Sequence, residues 1–336
     1  MSRTELLNTI QAIAVPGKGI LAADESDKTI AKRFASIGLE SSEENRRAYR
    51  EMLFTTPEFN QFVSGVILYE ETLYQKHQNG KPFSQLLAEQ GVVPGIKVDK
   101  GLVDLPNCPG EQITQGLDGL RERLSQYKQQ GARFAKWREV YHISSTTPSN
   151  LSIQANAEML ALYAAACQEQ GIVPIVEPEV LMDGEHSIER CYEVTESVLH
   201  AVFVALYRHK IFLEGMILKP SMVISGKQCK TQAGVKEVAE QTLTVLRRCV
   251  PAAVPCINFL SGGQSSELAT AHLNAMNKDR RNPWYLSFSY GRALQDHALK
   301  AWQGKASNVA AAQQALHKRL HLNGLACKGQ YDSNME

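Results

Sequence analysis

Leu213-Glu-Gly-Met-Ile-Leu-Lys-Pro-Ser-Met222 contains a short apolar run, Met216–Leu218, that stops at Lys219-Pro220. A run this short with so abrupt an end reads as a buried parallel strand. Pro220 has no amide hydrogen with which to extend a ladder, so the strand ends there. A charged lysine at such a mouth is costly, and desolvation lowers an amine's pKa. Lys219 is therefore a candidate neutral amine and Schiff-base nucleophile. A lysine that snorkels to solvent is the competing reading of the stretch taken alone.

The same strand pattern recurs on both sides of it. Ile20–Ala23, Val63–Tyr69, Gly95–Gly101, Gly131–Arg138 and Gly171–Glu179 come before, and Val254–Ser261 and Trp284–Tyr290 come after. Helical spacing fills the intervals: Thr4–Ala14, Thr29–Ile37 with Ser26 as its cap, Ser42–Leu53, Pro82–Gln90, Gln115–Gln130, Pro148–Gln170, Ile188–Arg208, Val235–Val250 and Ser266–Asn277, then terminal helices from Arg292 to about Asn323. Eight strands alternating with helices predict an α/β fold, a (β/α)₈ TIM barrel. We expect one domain over residues 1–336, with additional N- and C-terminal helices and a short tail from about residue 328. An open doubly wound sheet is the alternative, but no G-x-G-x-x-G turn follows the first strand.

Composition narrows the partners. The 36 basic residues balance 35 acidic ones, which argues against nucleic acid or an anionic membrane. No apolar stretch has the length of a membrane span, and Met1-Ser-Arg-Thr-Glu5 lacks a signal-peptide core, so a cytoplasmic location is expected. Seven widely spaced cysteines without a C-x-x-C suit reduced thiols better than a disulfide framework or a zinc site. His317 and His321 are four apart on a helix, but no H-E-x-x-H accompanies them, and no metal site is expected.

The charges fall in a telling place. Active sites of such barrels lie at the C-terminal ends of the strands. Here those ends carry Asp24, Lys97 with Asp99, Lys136 with Arg138, Glu177 with Glu179, Lys219, Ser261 and Arg292. Residues two apart on a strand share a face, so two cations and two carboxylates are expected beside Lys219. Nearby positive charge would favour the neutral amine, and a carboxylate in reach could shuttle protons. A structural ion-pair network is the competing reading. Leu260-Ser-Gly-Gly-Gln264 and Ser289-Tyr-Gly-Arg292 follow the seventh and eighth expected strands, where this fold commonly binds phosphate. Each offers backbone amides and a helix start to an anion, and the second adds an arginine. Lys32-Arg33 with Lys97 form a second basic cluster that could hold another anionic group or be a solvated face.

With these residues assembled, the chain resembles the class I, Schiff-base fructose-bisphosphate aldolases from about Leu6 to Tyr331. The matching blocks are Pro16–Ser26, Glu44–Arg47, Gly95–Gly101, Gln115–Leu120, Phe134–Arg138, Gly171–Glu179, Leu218–Pro220, Phe259–Ser265 and Phe288–Ala293. The resemblance implies reversible, metal-independent cleavage of fructose 1,6-bisphosphate to dihydroxyacetone phosphate and glyceraldehyde 3-phosphate, without a cofactor. It assigns the imine to Lys219, acid/base work to Glu177, the C4-hydroxyl proton to Asp24, assistance to Lys136 and charge tuning to Glu179. It places the ketose phosphate on Ser261, Gly262, Gly263, Ser289, Gly291 and Arg292. The distal phosphate and sugar hydroxyls fall to Ser26, Thr29, Arg33 and Lys97, with Arg138 also toward substrate. It further implies a homotetramer. A non-catalytic sugar-phosphate sensor or scaffold on the same fold is the alternative. Two stretches depart from the family: Asp27-Lys28, where relatives carry small uncharged residues, and Tyr331–Glu336, where animal members continue to a terminal tyrosine.

Overall fold

The structure is a computed structural model that describes residues 3–279 and 281–336. Eight parallel strands close a barrel in the spatial order β1, β10, β9, β8, β7, β6, β3, β2. They are β1 Gly19–Ala23, β2 Val63–Leu68, β3 Val93–Lys97, β6 Phe134–Tyr141, β7 Val173–Val180, β8 Ile217–Leu218, β9 Cys256–Phe259 and β10 Tyr285–Tyr290. Two further strands, β4 Leu102–Asp104 and β5 Gln112–Thr114, form a small antiparallel hairpin outside the barrel. The TIM-barrel expectation holds, and the Lys219 stretch lies inside it.

Alternation along the strands sorts side chains into two apolar clusters. One fills the lower interior: Ile20, Ala22, Ile67, Phe134, Val173, Ile175, Ile217 and Cys256. Leu6, Ile10 and Ile13 of the first helix, Arg3–Ile13, join this cluster and stopper the barrel from below. The other lies between strands and surrounding helices, where Leu21, Val66, Ala135, Trp137, Val176 and Leu218 point outward. The Phe134 ring needs room that only glycine leaves. A Cβ on Gly95 would sit 2.2 Å from it, and one on Gly65 would sit 3.1 Å away. All seven cysteines are free.

Several sequence boundaries move, each for a local reason. The expected helix Gln115–Gln130 begins only at Leu120. Gly116 and Gly119 adopt left-handed backbone, φ 125° and 64°, and Gln115 instead extends the hairpin ladder at its open end, bonded to Lys100 and Gly101. The third strand spans Val93–Lys97 rather than Gly95–Gly101, because the chain leaves the barrel toward β4 after Lys97. The helix expected at Thr29–Ile37 runs Asp27–Ala35, with Ser26 at its N-cap position but no capping bond from its hydroxyl. That hydroxyl lies 3.2 Å from Thr29 Oγ1 instead. Ile188–Arg208 matches to the residue. The tail is anchored at Tyr331, which is buried, its backbone held by Asn274 and its hydroxyl donating to Glu336 Oε1 at 2.9 Å.

Candidate active site

The inward register that builds the lower core continues upward with charged residues. On β6, Phe134 faces the interior, and Lys136 and Arg138 follow it on the same face. On β7, Val173 and Ile175 are followed by Glu177 and Glu179. On β8, Ile217 is followed by Lys219, whose amide donates to the Val176 carbonyl. Register pairs Lys97 with Lys136 and Arg138 with Glu177, so these side chains rise in neighbouring rows. They floor and wall a cleft of about 580 Å³ at the C-terminal mouth.

At its floor five groups form a chain of contacts. Lys219 Nζ lies 3.1 Å from Glu177 Oε1, and Lys136 Nζ lies 3.4 Å from Glu177 Oε2. Lys136 also lies 2.8 Å from Asp24 Oδ2 and 3.8 Å from Asp99 Oδ2. Lys219, Lys136 and Glu177 are each at most 4% exposed, which for charged groups demands mutual pairing. Burial pushes the Asp24 carboxyl up, but Lys136, Lys219 and Lys97 override it and hold it well below the usual carboxylate range. Burial would lower Lys136, yet Asp24, Glu177 and Asp99 raise it above an ordinary lysine. Arg138 is ion-paired to Glu179, and against its burial that carboxylate raises it too. The cations expected to crowd Lys219 are thus committed to acids. Its own ion-pair partner is Glu177, a proton acceptor within reach of the amine.

The rim carries anion-binding features. After β9, Gly262 and Gly263 hold φ of 59° and 93°, a conformation that strains any L side chain. Gly262 and Ser261 line the cleft. Gly263 stands behind them: a Cβ there would meet Arg292 Nη2 at 3.4 Å and Met182 Sδ at 3.1 Å. The next helix, Ser266–Lys278, is capped by Ser265, so amides for an anion come from the turn. After β10 the helix Arg292–Trp302 starts directly at Gly291 with no capping side chain. The buried Ser289 Oγ beside it has no hydrogen-bond partner among the described residues, which suits a ligand oxygen. Among the described residues no carboxylate lies within 4.0 Å of Arg292 or Lys32, two exposed cations on the cleft.

The other expected residues also line this cleft: Ser26, Thr29, Arg33 and Lys97. Arg33 is not free, since its Nη1 donates to Glu25 Oε1, and Lys97 is ion-paired with Asp99. Arg33 Nη2 lies 3.6 Å from where a Gly291 Cβ would stand, which brings it toward the turn after β10. Asp27, the additional carboxylate, does not line the cleft and lies 3.9 Å from Arg46. His317 pairs with Glu58 at 3.0 Å, and both it and His321 lie against Phe62, His317 edge-on and His321 tilted, an ordinary helix face.

Sequence reasoning passed over Glu25. This buried carboxylate receives Arg33, Arg50 Nη2 at 2.8 Å and Gln295 Nε2 at 3.0 Å. Arg50 also donates to the Ala23 carbonyl and Gln295 to that of Ala22, tying the cluster to β1. Its only sequence signal was a second acid beside Asp24, in a block already assigned to the strand end.

A family model described as fructose-bisphosphate aldolase class-I matches residues 5–336. A probable fructose-bisphosphate aldolase class 1 of Xanthomonas campestris is 57% identical over 332 residues, 98% of this chain and 99% of that one. Fructose-bisphosphate aldolase 5, cytosolic, of Arabidopsis thaliana is 59% identical over 328 residues, 97% of this chain and 91% of its own length. Among solved structures, the Plasmodium falciparum fructose-bisphosphate aldolase, in complex with TRAP and a small-molecule inhibitor, superposes with a TM-score of 0.97 at 51% identity. It covers 98% of this chain and 96% of its own. Fold, floor chemistry and these likenesses agree: the chain belongs to the class I fructose-bisphosphate aldolase family.

Proposed function

We propose that this protein cleaves fructose 1,6-bisphosphate reversibly into dihydroxyacetone phosphate and glyceraldehyde 3-phosphate, in glycolysis and gluconeogenesis, through an imine on Lys219. The observation that carries the mechanism is the buried chain Lys219–Glu177–Lys136–Asp24 on the cleft floor. Glu177 takes the proton from the Lys219 ammonium, and the free amine attacks the C2 carbonyl. Glu177 then returns a proton to the carbinolamine hydroxyl, which leaves as water and gives the protonated imine. Asp24 accepts the C4-hydroxyl proton as the C3–C4 bond breaks, and the bonding pair flows into the imine to form an enamine. The aldehyde departs, C3 is protonated, and water releases dihydroxyacetone phosphate from Lys219. Lys136, between Asp24 and Glu177, stabilises both carboxylates as charge moves. The pair Arg138–Glu179 holds the adjoining wall of the cleft in charge balance.

Arg292, the Ser261–Gly263 turn, Ser289 and Gly291 bind the ketose phosphate in this reading. Ser26, Thr29, Arg33 and Lys97 serve the distal phosphate and hydroxyls. The whole chain acts as one domain, since β1 and β10 close a single barrel. We infer a homo-oligomer, a tetramer by family resemblance. Leu151, Leu162, Val204 and Tyr207 stay exposed on the helices Asn150–Glu169 and Ile188–Arg208, apolar area that a second copy would cover. A cytoplasmic location accords with the cytosolic naming of plant relatives. Among the described residues no helix is long and apolar enough to cross a membrane.

The test is borohydride trapping with dihydroxyacetone phosphate, followed by peptide mass mapping. A reduced adduct on the Lys219 peptide is expected. An adduct on another lysine overturns the site assignment, and binding without any adduct overturns the mechanism.

A further inference from the structure

Among the buried titratable groups that the floor and rim leave unused is a histidine. His272, on the helix Ser266–Lys278, is 2% exposed and approaches no carboxylate within 4.0 Å among the described residues. Its Nδ1 lies 2.6 Å from Gln264 Oε1, and its Nε2 is buried with no partner among the described residues. Gln264 is the last residue of the turn that follows β9. Its side-chain Nε2 donates to the Ser261 carbonyl at 3.1 Å and points at Met222 Sδ. Its backbone amide donates to the same Ser261 carbonyl at 3.0 Å. Two donors from one residue therefore clamp the carbonyl that opens the Ser261–Gly262–Gly263 turn.

Donor and acceptor accounting fixes the rest. The Gln264 amide cannot be turned over, because its oxygen would then oppose the Ser261 carbonyl. Its oxygen thus faces His272 and requires a donor. Only the Nδ1–H form supplies one, which leaves Nε2 as a bare, buried acceptor. A second proton there would be a buried donor without an acceptor, and burial accordingly lowers the imidazole to about 4.

We propose that His272, acting through Gln264 as the neutral Nδ1–H tautomer, is a positioning residue for the anion-binding turn Ser261–Gly263. The inference rests on that turn being a phosphate site. Glycines at positive φ give the turn many backbone alternatives, and the clamp selects the one that presents the Ser261 hydroxyl and Gly262 to the cleft. His272 touches no substrate; it keeps the Gln264 amide oriented.

Three variants and one spectrum test this. Inhibition by inorganic phosphate and the kinetics of condensation with dihydroxyacetone phosphate are measured for His272→Leu, His272→Asn and Arg292→Ala. In His272→Leu the Gln264 oxygen is buried without a donor. The phosphate inhibition constant and the KM for dihydroxyacetone phosphate should rise roughly tenfold, with kcat changed less than about threefold. Asparagine places an amide nitrogen near the position of Nδ1, and His272→Asn should restore both constants to within about twofold. A folded His272→Leu with an unchanged phosphate constant overturns the proposal, as does equal loss in the asparagine variant. Arg292→Ala separates the two readings: if it leaves phosphate inhibition unchanged, the turn's assignment to phosphate fails first. If it weakens inhibition while His272→Leu does not, only the positioning role fails. Should the leucine variant not fold, the ¹H–¹⁵N spectrum of the parent decides. A neutral Nδ1–H ring at pH 7 is expected, and an Nε2–H ring or imidazolium overturns the proposal.

Discussion

The lower and upper halves of the barrel interior are built from the same strands by the same alternation, yet they do opposite work. Below, Phe134, Val173, Ile175 and Ile217 meet Leu6, Ile10 and Ile13 and exclude water. Above, two or four residues along, Lys136, Glu177 and Lys219 are just as buried but charged. Apolar layers lower the free energy of the fold through burial, whereas the buried ion pairs roughly balance desolvation against attraction. Of these two halves, the lower therefore contributes the stability and the upper the chemistry.

Four experiments press on that division, from the largest effect to the smallest. Lys219→Ala should cut turnover by about 10⁴-fold or more, on the order of 5 kcal/mol of barrier. Because Lys136 still faces Glu177, it should cost far less in denaturant stability. A stability loss as large as the activity loss would erase the distinction between the halves. Phe134→Ala should do the reverse. Removal of a fully buried ring should destabilise by roughly 3–5 kcal/mol, with turnover per folded molecule little changed, as urea titration and active-site trapping would report.

The third probes the outer face of β6. Glu139 is fully buried there and accepts from Trp137 Nε1 at 2.7 Å and from the Thr114 amide at 3.0 Å, which anchors β5. Burial outweighs these donors and pushes its carboxyl from 4.5 up to about 7. The folded state thus keeps a proton that the unfolded chain releases, so stability falls as pH rises from about 4.5 to 7 and levels off above. The span is on the order of 3 kcal/mol. Glu139→Gln should remove this slope from urea midpoints taken between pH 5 and 7.5, and an unchanged slope would refute the assignment. The smallest effect belongs to Lys32→Ala. Its exposed ammonium should contribute under about 1 kcal/mol to substrate affinity, seen as a KM rise of a few-fold that fades at high salt.

The barrel and the floor of the site were legible because they rest on local patterns. Short apolar runs ending in charge gave the strands, and the two-residue spacing put Lys136 with Arg138 and Glu177 with Glu179 on one wall. The hairpin β4–β5 was not legible: strands of three residues are too short to carry a periodicity to read. Glu25, Arg50 and His272 escaped for another reason. Each is an ordinary polar residue in its own segment, and its meaning comes from partners supplied by other segments or by the fold. Arg50 falls within a helix stretch, Ser42–Leu53, rich in Glu and Arg, yet it is 2% exposed against Glu25. Which carboxylate each cation holds is decided by side-chain reach across strands, so the pairing of Lys219 with Glu177 could not be foretold from spacing.

One feature of the closed sheet bears on how the protein comes into being. β1 pairs with β10, Ile20 opposite Ser289, and the seam is reinforced by Ser287 Oγ to the Lys18 carbonyl and Gln295 Nε2 to that of Ala22. During synthesis the first strand leaves the ribosome long before its second neighbour exists. At usual elongation rates the delay is on the order of tens of seconds. Throughout that interval one edge of β1 is an unpaired template, open to another chain's strand. Asp24 meanwhile waits at the end of that strand for Ser289 and Arg292, so no nascent fragment short of β10 holds a complete cleft. Contacts this distant in sequence also slow folding of the finished chain. The seam that completes the active site thus cannot form until β10 has been made, and its assembly before aggregation is what a growing cell must ensure.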